Sequence, residues 1–138
     1  MRLWHQALIP LLPRQQLLGQ HRECCALRGK GWGRKHATVD YVFKYRPDYL
    51  VVYHYLVMDE MVRRGYKLDG SWYHPHYRGK ELGKVDGWCE YCLVRHCYDL
   101  IKEYNESIYR EHDDAYLNEC LENLRRKGIE INENQTYY

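Results

Sequence analysis

Phenylalanine is almost missing from this chain: one residue in 138, against fifteen tyrosines. Its aromatic surface therefore carries hydroxyl tips, which suit half-buried positions with one wet end. Long apolar runs are missing too. The stretch "YLVVYHYLVM" (49–58) is about half as long as a bilayer-spanning helix and is interrupted by His54. The opening "MRLWHQALIPLLPRQQLL" turns apolar only until Pro10 and Pro13 break it. That is too short for a secretory core, so a cytoplasmic protein is expected. No stretch shows the long apolar–polar alternation of a half-buried strand, which argues against a sheet-based fold.

The six cysteines are expected to be reduced thiols, and the adjacent Cys24 and Cys25 are poorly placed to bridge each other. "WCEYCLVRHC" (88–97) has zinc-like spacing, yet no second C-x-x-C or H-x-x-x-H completes a tetrahedral set. On a helix, Cys89, Cys92 and His96 would share a face. Small apolar core residues are the first reading of this segment, and a metal site is the alternative.

Acidic side chains are scarce where basic ones gather. Residues 1–36 hold seven Lys and Arg and a single acid, Glu23, whereas the rest of the chain holds 14 basic and 18 acidic groups. An overall charge of +2 thus hides a basic arm and an acidic remainder. Such an arm implies a polyanionic partner, with nucleic acid first among the candidates.

What is present reads as helices. Pro13 suits a first turn, and "RQQLLGQHRECCALR" runs from it to Gly29. Leu17, Leu18, His21, Cys24 and Cys25 share one face of this helix; Gln15, Gln16, Gly19, Arg22 and Glu23 share the other. A second helix is predicted from Pro47 to Arg64, closed by Gly65. Its dense apolar positions (Leu50, Val51, His54, Tyr55, Val57, Met58, Met61, Val62) mark a central, buried element. A third is predicted from Trp88 to Tyr104, and a fourth from Asp113 to Lys127 before Gly128. The expectation is an all-α single domain over residues 1–138, with three to four helices. "WYHPHY" (72–77) reads either as a stacking surface or as a rigid, solvent-facing connector.

Glu23 is the anomaly. A surface meant only to hold an anion does better without it, and adjacent helical residues such as Arg22 and Glu23 do not face each other well. Gly19 lies one turn earlier on the same face, at a cost of about 1 kcal/mol relative to alanine. Its absent side chain would let another backbone approach Glu23 closely, although tight helix packing explains it as well.

"LPRQQLLGQHRE", then "RKH" (34–36), then "EMVRRGYKL" and "REHDDAYLNECLENLRRK" resemble the pyrimidine dimer DNA glycosylase/AP lyase family. These are the small phage-type repair endonucleases and their bacterial relatives. The specific part is the N-terminal arginine, the Q-x-L-x-x-x-x-R-E helix and the R-K-H segment. The resemblance implies a compact helical monomer, acting without metal or cofactor on double-stranded DNA that contains a lesion. An N-terminal α-amine attacks the sugar C1′, expels the base through a Schiff base and cleaves the strand by β-elimination. Carried onto this sequence, the catalytic residues are Met1 and Glu23, and the DNA-binding residues are Arg2, Arg22, Arg34, Lys35 and His36.

The nucleophile makes chemical sense. An α-amine with pKa near 7.7–8.0 is neutral in roughly a tenth of molecules at pH 7, a lysine in roughly 0.04%. Three departures from the family pattern stand out. Arg2 is too bulky for usual removal of Met1, so Met1 is expected to remain. Gln16 stands where the phage type has a histidine, leaving His5 or His21 as substitutes. The aromatic-basic tail is reduced to "NENQTYY". Two rivals remain: a non-catalytic DNA-binding module using the same basic arm, and a zinc protein built on Cys89 and Cys92.

Overall fold

Prolines and glycines punctuate the helices. The computed structural model describes residues 2–131, so Met1 and the tail "NENQTYY" lie outside the described residues. Helix α1 (Arg14–Arg28) begins directly after Pro13 and stops at Gly29, whose N–H turns back to the Cys25 and Ala26 carbonyls. Helix α2 (Pro47–Arg63) has Pro47 in its first turn, where the missing N–H would have had no partner, and Gly65 follows it at φ 80°. Helix α3 (Tyr91–Tyr104) ends on Asn105, a left-handed residue at φ 54°. Helix α4 (Asp114–Arg126) is capped by Asp113, whose carboxylate accepts the Tyr116 N–H. Short 3-10 helices at Gln6–Leu11, Asp40–Lys44 and Gly70–Tyr73 occupy the connections. No strand forms among the described residues, and Tyr77–Lys84 is an isolated bridge. The architecture is all-α. Among the described residues, no helix is long and apolar enough to cross a membrane.

Helix α2 is apolar on two sides because it is packed on two sides, against α1 and against α3. Leu50, Tyr53, Val57 and Met61 join Leu17, Cys24 and Leu27 of α1 and Cys120 and Leu124 of α4 in the main core. Val51 and Val52 face a smaller cluster with Cys89, Val94 and Ile101. Val62, expected inside, is 56% exposed. Arg64 explains this: it donates to the Leu12 and Pro10 carbonyls, which fixes Met61 and Arg64 inward and turns Val62 out.

The third helix starts at Tyr91 rather than Trp88. Asp48 Oδ2 accepts the Glu90 N–H at 2.8 Å, and the Cys89 thiol donates to the Pro75 carbonyl at 3.1 Å. These tertiary contacts hold Glu90 extended and keep Cys89 out of the helix.

Two arginines pin the connection between α2 and α3. Arg28, which the sequence counts among the cations of the basic arm, is 0% exposed. Its guanidinium donates to the carbonyls of Trp72 (2.7 Å), His74 (2.9 Å) and Tyr77 (3.0 Å). In return, Arg78 donates to the carbonyls of Arg28 (2.7 Å) and Gly29 (2.9 Å), orphan acceptors at the end of α1. Trp72 stacks edge-on with Tyr77 beneath Arg28. "WYHPHY" is therefore a rigid connector whose aromatics are engaged in packing.

Candidate active site

Arg2, Leu3 and Trp4 form neither helix nor strand, so their backbone polar groups need other partners. Side chains supply them. Glu23 Oε2 accepts the Arg2 N–H at 3.1 Å. Gln20 donates from Nε2 to the Arg2 carbonyl at 3.0 Å and accepts the Trp4 N–H on Oε1 at 2.7 Å. The Tyr116 hydroxyl donates to the Leu3 carbonyl, and the Tyr53 hydroxyl to the Trp4 carbonyl at 2.6 Å. With the Leu3 side chain fully buried, the segment is fixed across one face of α1.

A cleft of about 400 Å³ opens beside it. Its walls include Arg2 and Trp4 from the segment, Gln16, Gly19 and Glu23 from α1, and Thr38 from the following loop. Asn123 and Lys127, from α4 and its end, complete it. Gly19 has a different reason from the one anticipated: no second backbone approaches it, and an added Cβ would lie 3.8 Å from Arg22 Nη2. The missing side chain leaves room in the cleft wall next to Glu23.

The proposed DNA-binding residues surround this cleft unevenly. Arg22 is exposed and forms no ion pair or hydrogen bond among the described residues. Arg34, Lys35 and His36 are exposed on the loop that leads to Thr38, and His36 Nδ1 lies 3.1 Å from the Thr38 hydroxyl. The Arg2 guanidinium turns to α4, 3.9 Å from Glu119 and over the Tyr116 ring. Lys127 was not anticipated. It sits over the Trp4 ring at 5.2 Å, and its only sequence signal is the basic last turn of α4, read as helix punctuation.

Neither histidine proposed to replace the family's residue at position 16 reaches the cleft, whereas Gln16 itself does. His5 is stacked on His112. His112 in turn accepts the Gln6 N–H on Nδ1 and meets the Tyr41 hydroxyl at 2.7 Å through Nε2. Burial and the neighbouring His5 depress the His112 pKa to about 3, so the ring is neutral.

One group of metal-ligating types converges among the described residues: His21, Cys25 and His54, with ligand atoms all within 4.8 Å of one another. Protonation decides its character. The Arg28 guanidinium has only donors, so His54 Nδ1, 2.9 Å from Arg28 Nη1, must accept. Burial, then Arg28 and His21, push the His54 pKa well down, leaving a neutral ring whose proton sits on Nε2. That N–H points at His21 Nδ1, 2.8 Å away. The Nε2 lone pair a metal would use is thus occupied, and the trio forms a hydrogen-bonded relay. Burial also raises the Cys25 thiol to about 12, which makes it a poor nucleophile. Cys89, Cys92 and His96 do not converge: Cys89 is buried ahead of α3, while Cys92 and His96 are exposed on it.

A small all-α protein with one carboxylate set in a cleft and exposed cations nearby is the class this geometry defines. The family model for pyrimidine dimer DNA glycosylase matches residues 1–74, more than half of the chain, and the chain belongs to that family. The matched part contributes the N-terminal segment, α1, the R-K-H loop and α2. Asn123 and Lys127 complete the cleft from outside it. No curated protein and no solved structure matches the chain.

Proposed function

We propose that this pyrimidine dimer DNA glycosylase also cleaves the strand, as an AP lyase working through a Schiff base at the Met1 amine. It acts as a cofactor-free, single-domain monomer on lesion-bearing duplex DNA. The observation that carries the reading is the 3.1 Å hydrogen bond from the Arg2 N–H to Glu23 Oε2. The Arg2 nitrogen is the atom that bonds to residue 1, so the backbone leading to the α-amine begins at the carboxylate.

The chemistry follows from those two groups. The neutral amine attacks C1′, the bond from C1′ to the base breaks, and the base leaves with that electron pair and takes up a proton. The amine proton passes to Glu23. Glu23 returns a proton to O4′ as the C1′–O4′ bond opens, which leaves an iminium joining the enzyme to C1′. The iminium acidifies the C2′ hydrogen. Glu23, a carboxylate again after protonating O4′, takes the C2′ proton as the C3′–O bond breaks and the 3′ phosphate leaves by β-elimination; water then hydrolyses the iminium to free the amine. Arg22, Arg34, Lys35 and His36 hold flanking phosphates, and Arg2 lines the reaction cleft. Phosphate contacts fix position without reading sequence.

The test is borohydride trapping of untagged protein on duplex carrying an abasic site or a pyrimidine dimer, with EDTA present. A covalent adduct located at the Met1 amine, lost when that amine is blocked, is the expected result. DNA binding with neither adduct nor incision would sink the proposal in favour of a non-catalytic binding module.

A further inference from the structure

Gln20 is 2% exposed, an amide surrounded by the main core. Burying an amide is costly unless its donors and acceptors are matched. Here Nε2 donates to the Arg2 carbonyl, and Oε1 accepts both the Trp4 N–H and the Tyr53 hydroxyl at 2.9 Å. The amide engages the carbonyl before Leu3 and the N–H after it, as a neighbouring strand does in a ladder. Tyr53 locks the arrangement, because its one hydroxyl proton is shared between Gln20 Oε1 and the Trp4 carbonyl. Gln20 and Glu23 stand three positions apart on α1 and so lie on adjoining turns of one face. One turn grips the N-terminal segment and the next presents the acid.

We infer that Gln20, held by Tyr53, is a positioning residue: by fixing Arg2 to Trp4 beside Glu23 it sets the point from which the nucleophilic chain end departs. This rests on the amine-nucleophile reading above. The side-chain type is prescribed by the pairing: the Arg2 carbonyl requires a donor, and an ionised glutamate of the same shape offers none. Gln20→Glu therefore opposes one oxygen to another at that contact. Once protonated, the same side chain regains an O–H donor.

The experiment compares wild type with Gln20→Glu, Gln20→Met and Tyr53→Phe on abasic-site duplex. It measures single-turnover borohydride trapping, DNA affinity, and the rate from pH 8 down to pH 5.5. A displaced nucleophile is expected to lower trapping by about tenfold or more in both Gln20 variants. Affinity should stay within about twofold, because exposed cations elsewhere carry the phosphate contacts. The rate of Gln20→Glu relative to wild type is expected to rise as pH falls, and that of Gln20→Met to show no such recovery. Tyr53→Phe keeps the ring and the core volume, and is expected to show a smaller loss of trapping at unchanged affinity; it carries the test if the Gln20 variants do not fold. Variants that trap at the wild-type rate, or that lose affinity in proportion to rate, overturn the inference. A wild type that forms no adduct at residue 1 overturns the amine mechanism itself.

Discussion

Glu23 meets Arg2 through that residue's backbone N–H, while the guanidinium of Arg2 turns away to Glu119 and the Tyr116 ring. The carboxylate of Glu23 thus holds main chain rather than the Arg2 side chain. Glu23 itself lines the cleft. That placement explains how one acid is useful in an arm otherwise made of cations.

Replacing Glu23 by glutamine is the direct consequence to examine. The amide oxygen still accepts the Arg2 N–H, so the segment stays in place, but the proton carrier of the proposed mechanism is lost. Strand scission is expected to fall by roughly 10²–10⁴-fold. DNA affinity should be retained or improved, since the substitution removes the one negative charge of the basic arm. Parallel loss of affinity and scission in binding and single-turnover assays would mark Glu23 as structural.

The exposed loop cations make a different prediction. Arg34 and Lys35 carry no buried contact, so alanine at either position should lower affinity alone. The slope of log affinity against log salt is expected to fall by about one for each phosphate contact removed. Scission at saturating DNA should stay near the wild-type rate. An unchanged salt slope would remove these residues from the interface.

Arg28 belongs to stability. Its replacement by methionine strips donors from three carbonyls and from His54 Nδ1. Buried acceptors without partners make this loss about 3 kcal/mol or more. Lysine should not restore it, because one ammonium cannot reproduce a planar fork that reaches all four acceptors. Urea unfolding of both variants measures the effect, and a change within about 0.5 kcal/mol, the range of neutral surface substitutions, would contradict it.

Buried neutral histidines set the acid limit. His112 has a folded pKa of about 3 against 6.5 for the ordinary side chain. Between those values the unfolded chain binds a proton that the native state refuses. The contribution is complete above about pH 6.5 and is lost as pH falls towards 3, on the order of 5 kcal/mol in total. His54, lowered by burial and by Arg28, acts in the same direction. Urea midpoints are expected to drop steadily from pH 7 to 4.5, with a shallower slope in His112→Gln. A midpoint independent of pH over that range would refute the assignment.

Much of this molecule was legible along the chain. Pro13, Pro47 and Asp113 on one side and Gly29, Gly65 and Gly128 on the other bracket three helices within a residue or two of their observed ends, because breakers and caps act over one turn. The start of α3 was misread because Asp48, 42 positions away, holds Glu90 extended. The zinc-like spacing of Cys89, Cys92 and His96 lapsed for the same reason. Gln20 and Tyr53 gave no signal, since a polar side chain on a helix reads as surface until its partners are known. Arg28 was misjudged likewise: its charge suggested solvent, and four acceptors from other parts of the chain drew it inside.

The sequence by itself determined the helices, the polar face that carries Gly19, Arg22 and Glu23, and the family. Those depend on periodicity, punctuation and residue order, which are properties of short stretches. Tertiary structure alone decided which side chains grip Arg2 to Trp4, which cation is buried, and that Lys127 closes the cleft. The first two outcomes rest on hydrogen bonds between residues far apart in the chain, such as Trp4 with Gln20 and Arg28 with Tyr77, and the third on the contact of Lys127 with the Trp4 ring; such partners meet only after the helices have packed.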